Sequence, residues 1–202
     1  METSDTSIAA PNRTMRFAIL GLMTALTAVF TILIRIPIAP TRGYLNMGDV
    51  AVFFSALAFG PWTAFITGGL GTALADILGG YAQWAPVTFF AHGLQGFFAG
   101  LFFLALKKGE ENRIQASTLE NSETKAGGLK TSRLFFLILG FLTGALAMIG
   151  AYFAFAFITM GPGAAVSELP ANLIQNAAGI IISLILWSAV RKAYPPITRF
   201  RW

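Results

Sequence analysis

The chain has 202 residues, of which 55% are hydrophobic, 13% aromatic and 11% charged, with a net charge of +5 and a mean hydropathy of +0.68. Soluble domains carry roughly 25% charged residues, so this deficit, together with long apolar runs, points to an integral membrane protein. The absence of cysteine excludes disulfides, thiolate metal sites and cysteine nucleophiles, and a single histidine, His92, leaves no multi-histidine metal site.

Residues 17–34 form an uninterrupted apolar run, preceded by Arg13 and Arg16 and followed by Arg35. The run is long for a signal peptide and no small-residue cleavage site follows it, so it reads as a retained helix over about 14–36. A second helix is expected over 48–60, short of the roughly 20 residues a span needs and therefore tilted or only partly inserted. Gly60-Pro61 turns the chain into a third helix over 61–78, and further spans follow at about 84–106, 133–159 and 169–191. The polar, mixed-charge segment 108–132 reads as a flexible cytoplasmic linker. The expected fold is an all-α integral membrane bundle of six transmembrane helices, a single domain over 1–202 without internal repeats.

Basic residues orient the bundle. With the N-terminus inside, all of the 14 Lys and Arg residues except Arg35 and Arg42 fall on the cytoplasmic side. Both termini are then cytoplasmic, and the basic balance needs no nucleic acid to explain it.

In that orientation the strong hydrogen-bonding groups gather in the outer half of the bundle. Tyr44 and Asn46 precede the second helix, and Asp49 opens it. Asp76 lies near the outer end of the third helix, and Tyr81 and Trp84 follow in the outer loop. Thr88, His92 and Gln95 share one face of the fourth helix. Glu168 precedes the sixth helix, whose first turns carry Asn172, Gln175 and Asn176 on one face. Ionisable groups in hydrocarbon are costly and tend to face a cavity or a partner. Their asymmetry favours a pocket open to the outside over a continuous pore, with tyrosine and tryptophan rings placed to stack on a planar ligand. Each residue also has a plainer role: Asp49 as an N-cap, Asp76 paired with Arg35 or His92, Tyr81 and Trp84 in the interfacial belt, and the amides as interhelical glue. On the first helix Gly21, Ala25 and Ala28 form a small-residue stripe, suited either to an internal neighbour or to docking of another membrane subunit.

The sequences NMGDVAVFFSALAFGPW, GGLGTALADILGGY followed by WAP, GLQGFFAG and LPANLIQNAAG resemble the substrate-binding S components of energy-coupling factor (ECF) vitamin transporters. The resemblance covers most of the chain outside 108–132 and the tails. It implies a six-helix subunit that captures a vitamin or precursor from outside. It also implies a transmembrane coupling protein (the T component) and two cytoplasmic ATPases as partners, and residence in a bacterial-type plasma membrane. Small residues on the first helix of such proteins contact the coupling protein, for which Gly21, Ala25 and Ala28 are the nearest match here. No GxxxxGK[ST] loop is present, so this chain is expected to bind no cofactor and ATP would be used by the partner ATPases.

Relatives of this subgroup often carry lysine and glutamate where this chain has His92 and Gln95. Losing both charges favours a neutral heterocycle: a pyrimidine or pyridine type such as hydroxymethylpyrimidine or pyridoxine, ahead of riboflavin or a queuosine precursor. Two other classes were weighed. An intramembrane enzyme using Asp76 and His92 for acid–base chemistry lacks a nucleophile motif and metal-ligand spacing. A small channel lacks polar residues along the inner half. The expectation is a transporter subunit, with no catalytic residues and no metal.

Overall fold

A computed structural model describes residues 12–39, 41–120 and 127–200. Helix α1 (Arg13–Leu33) is capped by Asn12, whose side-chain oxygen accepts the Met15 N–H at 2.9 Å. It gives way to an antiparallel hairpin, β1 (Arg35–Ile38) and β2 (Gly43–Asn46), which pairs Arg35 with Asn46 and Ile38 with Gly43. The all-α expectation holds for the bundle but omitted this hairpin. Its strands are four residues long and β1 contains Pro37, two features that mask a strand in sequence.

Helix α2 (Gly48–Phe59) has 12 residues and is buried at every position except Phe54. It is apolar all round, and such a helix belongs inside a bundle rather than at its edge. As expected it is short, and it packs against α1, α3, α4 and α6 inside the bundle. Gly60 follows with φ 94°, a conformation open to glycine, and Pro61 starts α3 (Pro61–Leu78), where its missing N–H costs nothing.

Helices α4 (Ala85–Glu120) and α5 (Gly127–Met160) run beyond the expected spans. The segment read as a linker, 108–132, is helical over 108–120 and 127–132, and residues 121–126 lie outside the described ones. Its Glu, Gln, Ala, Lys and Leu residues suit a helix, and no proline interrupts it. Helix α6 (Pro162–Ala193) begins seven residues before the expected 169, with Pro162 in its first turn and Pro170 inside it. Glu168 therefore sits within α6 rather than ahead of it. Four helices (α1, α4, α5 and α6) carry apolar stretches of 21 to 32 residues, long enough to cross a bilayer. The protein is a multi-pass membrane protein, with α2 and α3 completing a six-helix bundle.

Glycines set the helix separations. A Cβ on Gly71 of α3 would lie 2.6 Å from Thr27 Cβ of α1, and one on Gly96 of α4 would lie 2.8 Å from Ala64 Cβ of α3. The face of α1 turned inward is thus its threonine face. Thr27 and Thr31 are buried and donate back to the carbonyls of Met23 and Thr27, both at 2.8 Å. The small-residue stripe points elsewhere: Gly21 and Ala25 are exposed and Ala28 is half-buried.

The two ends of the bundle differ. At the end away from the hairpin, Phe53, Leu57, Phe103, Phe141 and Trp187 form an apolar cluster, joined by Ile197 and Phe200 of a closing 3-10 turn, Pro195–Phe200. Phe141 meets Phe53 and Phe103 edge-on at centroid distances of 5.2 and 5.0 Å. The polar residues collect at the hairpin end.

Candidate functional site

Five helices, α2 to α6, and the hairpin build the hairpin end. Asp49 lies in the first turn of α2, with Gly179 of α6 opposite, where a Cβ would fall 2.5 Å from Asp49 Cβ. Only a glycine there lets α6 come close enough for its amides to reach α2 and α4. The result is a chain of buried hydrogen bonds. His92 Nδ1 lies 3.1 Å from Asp49 Oδ1 and 2.9 Å from Gln95 Oε1. Gln95 Nε2 donates to Asn176 Oδ1 at 2.8 Å, and Asn176 Nδ2 donates to the Asn172 carbonyl at 2.9 Å. Both partners of His92 Nδ1 are acceptors, so that nitrogen carries the proton. Asp49, His92 and Gln95 are fully buried, and at such depth every bond left unmade in the chain is costly.

Gln175 ties the chain to the hairpin. Its Nε2 donates to Asp49 Oδ1 at 3.2 Å, while its Oε1 accepts the backbone N–H of Asn46 at 2.8 Å. Asn46 Oδ1 accepts the Gly48 N–H at 2.7 Å, leading β2 directly into α2. The other strap runs through Tyr44, whose hydroxyl donates to Asp76 Oδ1 at 2.5 Å. Burial, reinforced by the Asp76 carboxylate, pushes the Tyr44 phenol above its ordinary range, so the hydroxyl stays a donor. Arg35 of β1 donates to the Ala75 carbonyl near the end of α3 at 2.9 Å, with its guanidinium 4.9 Å from the Tyr44 ring centre and 5.8 Å from that of Tyr81. Thr41, in the hairpin turn, donates to Glu168 of α6.

Beneath these straps lies a cavity of about 20 Å³, room for a water and little more. Of the residues expected at the site, Tyr44, Asn46, Asp76, Trp84, Thr88, Glu168, Asn172 and Gln175 line it. Asp49, His92, Gln95 and Asn176 form the hydrogen-bonded chain described above. Tyr81 is half-buried and packs on Tyr44, 4.6 Å between ring centres. Asp76 takes Tyr44 and Thr88 as hydrogen-bond partners, and His92 takes Asp49; the positive charges of Arg35 and His92 act on Asp76 only from a distance, without the direct pairing weighed from sequence. Asp49, for its part, faces His92 and Gln175 rather than capping its helix, and α2 has no side-chain cap.

Sequence reasoning missed Tyr152 of α5, which lines the cavity, donates to Thr88 Oγ1 at 2.9 Å and lies 5.8 Å from the His92 ring. Its one visible signal is a lone hydroxyl in the apolar run AYFAFAF. Thr41 and Gly43 were missed as well, since only the hairpin brings them to α6 and Trp84.

Five buried atoms at this end have no hydrogen-bond partner in the protein: Arg35 Nε, Asp49 Oδ2, Asp76 Oδ2, Trp84 Nε1 and His92 Nε2. Leaving such an atom unpaired costs roughly 1–3 kcal/mol, and sites that hold several are built to meet a ligand. One helical turn past Asp49, Gln95 and Asn176 come Phe53, Ala99 and Ile180, which belong to the apolar cluster or pack against it. Beyond them the buried polar residues on these three helices are Ser55 and Ser183, not the continuous polar lining a channel requires. Among the described residues no three His, Asp or Glu side chains converge as metal ligands would.

A family model described as ECF-type riboflavin transporter, S component, matches residues 12–192. The chain is 34% identical over 169 residues to a protein of Pyrococcus woesei described as "Uncharacterized protein in gap 3'region", covering 84% of this chain and 97% of that one. It is 27% identical over 172 residues to the thiamine precursor transporter HmpT of Lactococcus lactis subsp. cremoris, covering 85% and 84%. A solved structure, reported as the structure and mechanism of the S component of a bacterial ECF transporter, superposes with a TM-score of 0.53 at 18% identity, over 90% of this chain and 98% of that one. The family is one of transporter S components and not of enzymes.

Proposed function

We propose a vitamin-capture role, on the premise that the chain belongs to the family of S components of ECF-type riboflavin transporters. In this reading the hairpin end faces outside, both termini are cytoplasmic and the subunit resides in a bacterial-type plasma membrane. It delivers its ligand through a T component and two cytoplasmic ATPases, which use the ATP.

The observation that carries the reading is the composition of the cavity wall: two carboxylates, Asp76 and Glu168, with Trp84, Tyr44 and Tyr152, and no Lys, Arg or His side chain. Such a wall repels anions and suits a neutral or basic heterocycle that brings its own N–H or O–H donors. A pyrimidine or pyridine vitamer, hydroxymethylpyrimidine or pyridoxine, fits this better than riboflavin or a queuosine precursor. The similarity to HmpT supports the pyrimidine side of that choice. A cavity of about 20 Å³ is far too small for any of these, so in this reading the hairpin lifts before a ligand enters. Gly21 and Ala25, exposed on α1, are the surface offered to the T component, with Ala28 at its edge.

The test is mass spectrometry of small molecules released from the protein purified in mild detergent, followed by equilibrium binding. A pyrimidine or pyridine vitamer is expected, and saturable binding to none of the four candidates would overturn the proposal. Ala25→Trp should abolish ATP-driven uptake in a reconstituted transporter while leaving binding within about twofold.

A further inference from the structure

A second void lies away from the polar site, between α1 and α6. Both helices pack on α2, and the groove between them holds about 250 Å³. Every residue that lines it is apolar, and its wall includes Met23, Leu26 and Phe30 of α1, Phe54 of α2, and Leu186 and Val190 of α6. From Met23 to Phe30 is about two helical turns, so the groove runs roughly 10 Å along α1. A polar vitamer would find no hydrogen-bond partner there. The charge at one mouth singles out the occupant. Val190 is followed directly by Arg191 and Lys192, exposed in the last turn of α6. Arg16, also exposed, lies seven residues before Met23 and so on the same face of α1. The acids of α1, α2 and α6 are Asp49 and Glu168, both buried at the hairpin end. The groove is therefore apolar along its length and basic at the end away from the hairpin.

We propose that this groove holds an acyl chain of an anionic phospholipid, with the phosphate headgroup at the basic mouth formed by Arg16, Arg191 and Lys192. Basic clusters between membrane helices hold anionic headgroups, and a guanidinium can grip a phosphate through two parallel hydrogen bonds. A flexible chain suits a narrow space walled by Met, Leu and Phe side chains. A second helix, roughly 10 Å across, needs small residues at its contact to come close. The small residues of α1 lie elsewhere: Gly21 and Ala25, proposed above for the T component, are on the opposite side of that helix from Met23 and Phe30. Lipid and coupling protein thus have separate surfaces. The inference rests on the membrane assignment and is independent of which vitamer the polar cavity takes.

The test is native mass spectrometry of the full-length protein in detergent, titrated with palmitoyl-oleoyl phosphatidylglycerol, phosphatidylcholine of the same chains, and glycerol phosphate. Phosphatidylglycerol should be retained about tenfold more tightly than phosphatidylcholine, and glycerol phosphate, which has no chain, should not be retained. Replacing Arg191 and Lys192 together by Gln should bring the two lipids to within about twofold of each other. Leu186→Trp fills the groove with the charges intact and should lower phosphatidylglycerol retention by about tenfold. Equal retention of the two lipids by the unmodified protein, or retention of glycerol phosphate as tight as that of the phospholipid, would overturn the proposal. Unchanged lipid retention in Leu186→Trp with loss of T-component assembly would give the groove to the coupling protein instead. The comparisons on the unmodified protein decide the matter whether or not a variant folds.

Discussion

The hairpin end and the far end of the bundle are built from the same helices but follow opposite rules. Along α2, α4 and α6 the side chains change within one turn from Asp49, Gln95 and Asn176 to Phe53, Ala99 and Ile180. The far end is closed by aromatic edges and leaves Thr63 Oγ1 as its one unpaired buried atom among the described residues, whereas the hairpin end holds five buried polar atoms that the protein does not pair. The proposed function assigns stability to the first and recognition to the second. A membrane bundle that buries carboxylates can do so because its other half is densely apolar.

This contrast can be broken or sharpened by substitution. Phe53→Ala, in the apolar half, should lower unfolding stability by about 3–5 kcal/mol. Ligand affinity of the folded fraction should hardly change, as thermal unfolding and binding on one sample would establish. Trp84→Ala, in the polar half, should weaken binding by roughly 2–3 kcal/mol through lost ring contact and the lost N–H. Equal losses of stability from both substitutions would erase the division of labour. Asn172→Leu should cost about 1–2 kcal/mol of affinity with little change in melting; unchanged affinity would remove α6 from the binding wall. Tyr44→Phe, which deletes one strap of the hairpin, should raise the ligand dissociation rate by roughly tenfold, a loss of about 1–1.5 kcal/mol readable by stopped flow.

Much of this architecture was legible in the sequence, because apolar run length reports directly on spans. The i, i+3, i+4 spacing of Asn172, Gln175 and Asn176 likewise placed them on one face, and all three are buried at the hairpin end. The start of α6 was not legible, since Pro170 reads as a break although the helix passes through it from Pro162. The pairing of Asp49 with His92 was equally hidden. It depends on how closely Gly179 lets α6 approach, a distance no periodicity encodes. Tyr152 escaped because a hydroxyl in a phenylalanine-rich stretch gains meaning only once Thr88 lies opposite it.

On the capture reading proposed above, a hairpin tied down by Thr41, Tyr44 and Asn46 rations the arrival of any molecule by how often it lifts. Association rates and apparent affinities of all comers scale with that single open fraction. Choice between two vitamers is then made by dwell time, and scavenging from dilute surroundings depends on slow escape rather than fast encounter.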